Sequence, residues 1–205
     1  MSIICGIHKG GVSYLAADRR TTINNYRFPE GTQKIVEFGP VTARAALAVA
    51  GDMRALSVVL DNTDKLAQAL FGDCLDPRNY DPREAHKYAD ARALAKELRR
   101  LLTEDGFQKK DTPGALYYPC EFLLATRVAV YNIGTTFHVH RMSAGVFASG
   151  GSGDEVSRGA AAFVSFTAPE LTLPQIVSVC GDVLTSCGDG CDVWTSDRGF
   201  IKKED

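Results

Sequence analysis

The first eighteen residues constrain the fold more than any other stretch. Residues 2–8, SIICGIH, are apolar and rich in β-formers. Gly10 and Gly11 mark a turn, and residues 12–18, VSYLAAD, resume as a second strand. The pattern predicts a hairpin that begins at the second residue. Most chains leave a few loose residues at a terminus, so a strand placed this early predicts an N-terminus that is itself held in position. No basic segment leads into an apolar one there, and no secretory leader is expected.

The remainder reads as blocks. Residues 33–38, QKIVEF, form a strand closed by Gly39-Pro40, and residues 42–50, TARAALAVA, form a buried strand ending at Gly51. From Asp52 to Phe71 apolar residues recur at helical spacing without Gly or Pro, which predicts one helix. A loop rich in Asp, Pro and Asn covers 72–82. An amphipathic helix covers 82–106, with Gly106 as its stop, and a second loop covers 107–119. Residues 121–131 and 135–142 read as strands around an Asn132-Ile133-Gly134 turn, and 146–149 as a short strand. Helices are expected at 154–166 and 173–187, then a β-like tail at 192–203. Strands precede a helix pair twice, without βαβ alternation, so the expected class is α+β with antiparallel sheets covered by helices.

The chain has 205 residues, 45% of them apolar, which suits one domain spanning 1–205. A net charge of −2 argues against a nucleic-acid or membrane-surface binder, and no apolar run is long enough to span a bilayer. The six cysteines, Cys5, Cys74, Cys120, Cys180, Cys187 and Cys191, are expected as reduced thiols in a cytoplasmic protein.

Ser2 is the residue with chemistry to explain. A serine hydroxyl is a weak nucleophile and needs a base. His8, His86, His138 and His140 sit in no serine-hydrolase motif, and no G-x-S-x-G elbow is present. Removal of Met1 would give Ser2 a free α-amine with a pKa of roughly 7.7–8.0. That amine is a base fixed beside the hydroxyl, so proximity costs almost nothing. Such a site needs a nearby ammonium to lower local pKa values, a carboxylate to hold it, and a backbone N–H for the oxyanion.

Several motifs supply those parts. Asp18, in LAADRRTT, lies sixteen residues after Ser2, and Lys34, in GTQKI, sixteen after that. AVAGDMRAL places Gly51 before a helix, and GGSGDEVSRGAAA places Ser152 before another. With these motifs the chain resembles the proteasome β-subunit and HslV group of N-terminal-nucleophile hydrolases over nearly its whole length. The resemblance implies a four-layer αββα sandwich of two antiparallel sheets. It implies Ser2 as nucleophile, Lys34 held by Asp18, Gly51 as oxyanion donor and Ser152 near the N-terminus. CGDGCDVWTS matches the last element of the family site loosely: Asp189 would support Ser152, with Asp192 as the other candidate. Val49 and Met53 would flank the substrate pocket, implying cleavage after apolar residues. In HslV-type members the loop matching 188–195 binds a monovalent cation; no other cofactor or metal is implied. The expected partners are a polypeptide substrate, further copies in a homo-oligomeric ring or stacked rings, and an ATP-dependent AAA+ unfoldase. This chain departs from the family in having serine where threonine is usual, and in having only Met1 before it.

Other features have plainer readings. Cys180, Cys187 and Cys191 do not have zinc-ligand spacing and read as small buried residues. His138 and His140 alternate on a strand without a third ligand. GGSGD is not a phosphate loop. Two alternatives to the peptidase remain: an inactive proteasome-like assembly protein that retains Met1, and an amidase of small substrates.

Overall fold

The computed structural model describes residues 2–23, 26–27, 31–40, 43–72, 89–110, 116–184 and 187–201. Met1, Cys74 and the expected helical start at 82–88 lie outside the described residues. The strands are β1 (Ile3–Lys9), β2 (Val12–Asp18), β3 (Thr22–Ile23), β4 (Tyr26–Arg27), β5 (Ile35–Phe38), β6 (Ala45–Gly51), β7 (Lys109–Lys110), β8 (Leu116–Tyr117), β9 (Cys120–Ala125), β10 (Val130–Ile133), β11 (Val139–Arg141), β12 (Ala148–Gly151), β13 (Cys191–Thr195) and β14 (Gly199–Phe200). The helices are α1 (Met53–Asp61), α2 (Thr63–Phe71), α3 (Ala91–Glu104), α4 (Asp154–Ala161) and α5 (Pro169–Val183).

The hairpin forms as its glycines dictate. Lys9 pairs with Val12, and the two loop residues between them have positive φ, 61° at Gly10 and 78° at Gly11. Only this handedness of two-residue turn follows the twist of the strands it joins.

Among the described residues, two five-stranded antiparallel sheets form, in the orders β12-β1-β2-β13-β14 and β11-β10-β9-β6-β5. Strand β6 shows how they stack. Ala46, Ala48 and Ala50 face the other sheet, while Ala45, Leu47 and Val49 face helices α1–α3. The cluster between the sheets also holds Ile4, Leu15, Ala17, Leu123, Ala125, Val130 and Trp194, and its many alanines allow close approach. A third cluster joins Ile3, Cys5, Ile7 and Ala16 to Leu173, Val177 and Cys180 of α5. The order helix, sheet, sheet, helix is the expected four-layer sandwich.

Three boundaries differ from expectation for identifiable reasons. The helix expected over 52–71 is two helices, because the Asn62 side chain donates to the Val58 carbonyl at 2.8 Å and ends α1. The strand expected over 121–131 is β9 and β10. Thr126 makes the turn between them through its own backbone and hydroxyl, without Gly, Pro or Asn. Asn132 and Ile133 therefore lie in β10, and the following turn runs from Gly134 to Phe137. Part of the loop expected over 107–119 is the β7–β8 ribbon.

Leu123 is fully buried between the sheets. Leu123→Ala is expected to cost about 2–5 kcal/mol in chemical denaturation, from lost transfer energy and a residual cavity.

Candidate active site

The two sheets bring distant residues together at one end of the sandwich. Asp18 closes β2, Lys34 precedes β5, Gly51 closes β6, and Ser152 follows β12. The centre is a buried ion pair. Lys34 is 1% exposed and Asp18 is 0% exposed, and Lys34 Nζ donates to Asp18 Oδ1 at 2.7 Å. The same oxygen accepts the Ile3 N–H at 2.9 Å, and Asp18 Oδ2 accepts the Gly188 N–H at 3.1 Å. Lys34 Nζ also donates to the Arg20 carbonyl at 2.5 Å. One carboxylate thus ties the lysine to the backbone beside Ser2. Burial lowers the Lys34 pKa from the ordinary lysine value, and Asp18 opposes that shift.

Ser2 is 3% exposed and is gripped from the opposite side. Its nitrogen donates to Ser152 Oγ at 3.1 Å. Its carbonyl accepts from Ser152 Oγ and from the Gly153 N–H, both at 3.3 Å. Gly151 has φ of 88°, and a Cβ there would lie 2.3 Å from the Ser2 carbonyl oxygen. Only glycine fits between β12 and the first residue of the hairpin.

Gly51 has φ of 107°, and a Cβ there would lie 2.3 Å from the Pro119 carbonyl oxygen. This position requires glycine for packing alone. It is exposed at the strand end, while Val49 is 4% exposed in the core under α1–α3 and Met53 packs partly buried against the same cluster.

The carboxylate expected to support Ser152, Asp189, is bonded to Arg20. Arg20 donates to Asp189 through Nε at 3.3 Å and Nη2 at 3.2 Å, whereas Ser152 Oγ bonds to Ser2. Asp192 accepts from Arg19 Nε at 2.9 Å. The loop at 188–190 acts instead through its backbone. Besides the Gly188 N–H, its Gly188 carbonyl accepts from Arg19 N and Arg20 N, and its Gly190 carbonyl from Arg19 N. Sequence reasoning missed Gly188 and the Arg20 carbonyl as members of the site. The signal was the pair of glycines around Asp189, which itself has φ of 64°.

Three of the cysteines are poorly suited to act as nucleophiles. Burial holds the Cys5 thiol well above its ordinary pKa and pushes Cys120 to about 12 and Cys180 to about 11, so these three remain protonated at neutral pH.

Lys34→Ala leaves the Asp18 carboxylate buried with backbone donors only, and is expected to cost about 3 kcal/mol in urea unfolding. The double variant Asp18→Asn, Lys34→Ala is expected to cost less than the sum of the two single changes, because the stranded charge is gone.

No family model matches the sequence, and no curated protein matches it. Solved structures do. The chain is similar to eukaryotic HslV from Trypanosoma brucei, with a TM-score of 0.63, 16% identity, and 94% of this chain and 98% of that one covered. It is similar to Anbu, the ancestral beta-subunit, from Yersinia bercovieri, with a TM-score of 0.70, 15% identity and coverage of 99% and 88%. It is also similar to BPH from Thiobacillus denitrificans, with a TM-score of 0.68, 16% identity and coverage of 94% and 96%. Likeness at this identity speaks of backbone arrangement and not of residue roles. The chain has the proteasome-like fold of the N-terminal-nucleophile hydrolases.

Proposed function

We propose that the chain is a subunit of a proteasome-like peptidase in which Ser2, made N-terminal by removal of Met1, is the nucleophile. The observation that carries the reading is the convergence on one residue: Ser152 Oγ at 3.1 Å from the Ser2 nitrogen, and the Lys34–Asp18 pair bonded to the adjoining Ile3 N–H.

The chemistry follows from the groups. The neutral Ser2 amine takes the proton of its own hydroxyl as Oγ attacks a peptide carbonyl carbon. Ser152 accepts an amine N–H and fixes the direction of the nitrogen lone pair. The Lys34 ammonium favours both the neutral amine and the developing alkoxide. The Gly51 N–H receives the oxyanion. The amine proton then passes to the leaving nitrogen, the C–N bond breaks, and water hydrolyses the resulting ester. Serine keeps the hydroxyl and amine of threonine but lacks the methyl that restricts its rotamer.

Met53, partly buried two residues after Gly51, is the proposed apolar contact for substrate, in keeping with cleavage after apolar residues; Val49 lies in the core behind it, under α1–α3. The proposed working form is a homo-oligomeric ring supplied with polypeptide, with an AAA+ unfoldase as its feeding partner. Apolar side chains at Phe163, Leu171 and Val183 stand exposed on or beside α4 and α5 and support assembly. Among the described residues no helix is long and apolar enough to cross a membrane.

The BPH structure is also known in complex with epoxomicin, which makes an epoxyketone the natural probe here. Intact mass spectrometry is expected to show loss of Met1 and one adduct located on Ser2. An unprocessed and unreactive chain would overturn the peptidase reading and favour a non-catalytic assembly role.

Ser2→Thr is expected to keep peptide hydrolysis and Ser2→Ala to abolish it. Lys34→Ala is expected to lower hydrolysis by ~10²-fold or more under conditions where circular dichroism shows it folded.

A further inference from the structure

We infer that Glu121 is a positioning residue of this site: its carboxylate holds the turn that presents Ser152 to the N-terminus. The inference rests on the proposed role of Ser2. Glu121 lies on β9 directly opposite Ala50, one position from the Gly51–Cys120 pair. It therefore shares a strand end with the proposed oxyanion donor. Its side chain leaves that sheet and accepts the Gly151 N–H of the other sheet at 2.7 Å. Gly151 is followed by Ser152 and Gly153, the two residues that bond to Ser2.

The space for this carboxylate is built into the strand it reaches. A Cβ at Gly150 would lie 3.0 Å from Glu121 Oε2, and one at Gly151 would lie 3.0 Å from the Ala50 Cβ. Two successive glycines leave room for the reach. A charged acceptor on a backbone N–H is also among the stronger hydrogen bonds available.

The position of this bond gives it its consequence. The proposed site is split between sheets: Ser2, Asp18 and Ser152 belong to one, Lys34 and Gly51 to the other. Two hydrogen-bonded ties cross the gap around Ser2. Lys34–Asp18 crosses on the β2 side of β1, and Glu121–Gly151 crosses on the β12 side. The first sets the ammonium. The second sets where Ser152 and the Ser2 carbonyl sit relative to Gly51. Nucleophile and oxyanion donor are thus held in register by a bond that touches neither.

The test compares Glu121→Ala and Glu121→Gln in the full chain. The readouts are epoxyketone adduct formation on Ser2, kcat and KM for a fluorogenic peptide, and amide hydrogen exchange over residues 148–153. Glu121→Ala is expected to slow adduct formation and kcat by about ten- to a hundredfold, with KM within about threefold, because a misplaced group costs rate more than binding. Its exchange at 151–153 is expected to rise. Glu121→Gln keeps an oxygen able to accept the same N–H, and is expected to restore both rate and protection. Leu123→Ala, from the core of the same strand, controls for stability and is expected to react with the probe near the wild-type rate. If Glu121→Ala does not fold, Glu121→Asp, one methylene too short, replaces it. Wild-type adduct rates in Glu121→Ala, equal slowing in Glu121→Gln, or unchanged exchange would each overturn the inference. A wild-type chain that takes no adduct would overturn the Ser2 reading instead, and the exchange measurement would still decide the role of Glu121.

Discussion

The structure depends on one buried ion pair. Removing a lysine ammonium and a carboxylate from water costs several kcal/mol each, which attraction alone repays only if the remaining polar atoms are also satisfied. Here they are. Lys34 has Asp18 and the Arg20 carbonyl; Asp18 has Lys34 and the backbone N–H groups of Ile3 and Gly188. Satisfying this pair forces the end of β2, the approach to β5, the first residues of β1 and the 188–190 loop to meet. The turn at Arg19 and Arg20 is fastened to that loop by backbone bonds, with Arg20 on Asp189 completing the attachment.

That meeting point is possible because the gap between the sheets is narrow where it matters. Alanines on the inner face of β6 let the strands approach, and glycines at 150 and 151 leave out the Cβ atoms that would crowd Glu121 and Ala50 across the gap. Small residues in such numbers lower the apolar area available to the inner core. The helix-facing sides compensate: leucines of α3 and phenylalanines at 38, 71, 107 and 122 fill one, and Ile3, Ile7 and Leu173 the other. The fold thus divides its work, with bulky layers outside for stability and a thin seam inside that admits the site.

The narrow seam also supports the proposed choice of the Ser2 amine, and not an imidazole, as base. Among the described residues the histidines lie away from Ser2: His8 bonds to Ser13 near the far end of the hairpin, and His138 and His140 belong to the β10–β11 region. A base carried by the nucleophile itself needs no further side chain in a gap with little room for one.

Local patterns made the hairpin, most of the strands and helices, and the Ser2–Asp18–Lys34 spacing legible, together with Gly51 and Ser152. Each follows from rules that act over a few residues, such as turn glycines and helical or strand periodicity, or from a motif that keeps its spacing. What stayed hidden is partly local and partly long-range. The division at Asn62 and the turn at Thr126 depend on bonds of one residue to its near neighbours that carry no compositional mark. The bond between Asp189 and Arg20 joins residues 169 apart in sequence and has no mark in the loop that carries it. Glu121 looks like an ordinary polar residue in a strand, and its bond to Gly151 spans 30 residues and two sheets. The sequence by itself determined most of the segments that become strands and helices, and it singled out Ser2, Asp18, Lys34, Gly51 and Ser152 by motif and spacing. Only the tertiary structure decided which carboxylate meets which donor, because that depends on how closely two packed sheets approach and not on any pattern along either strand.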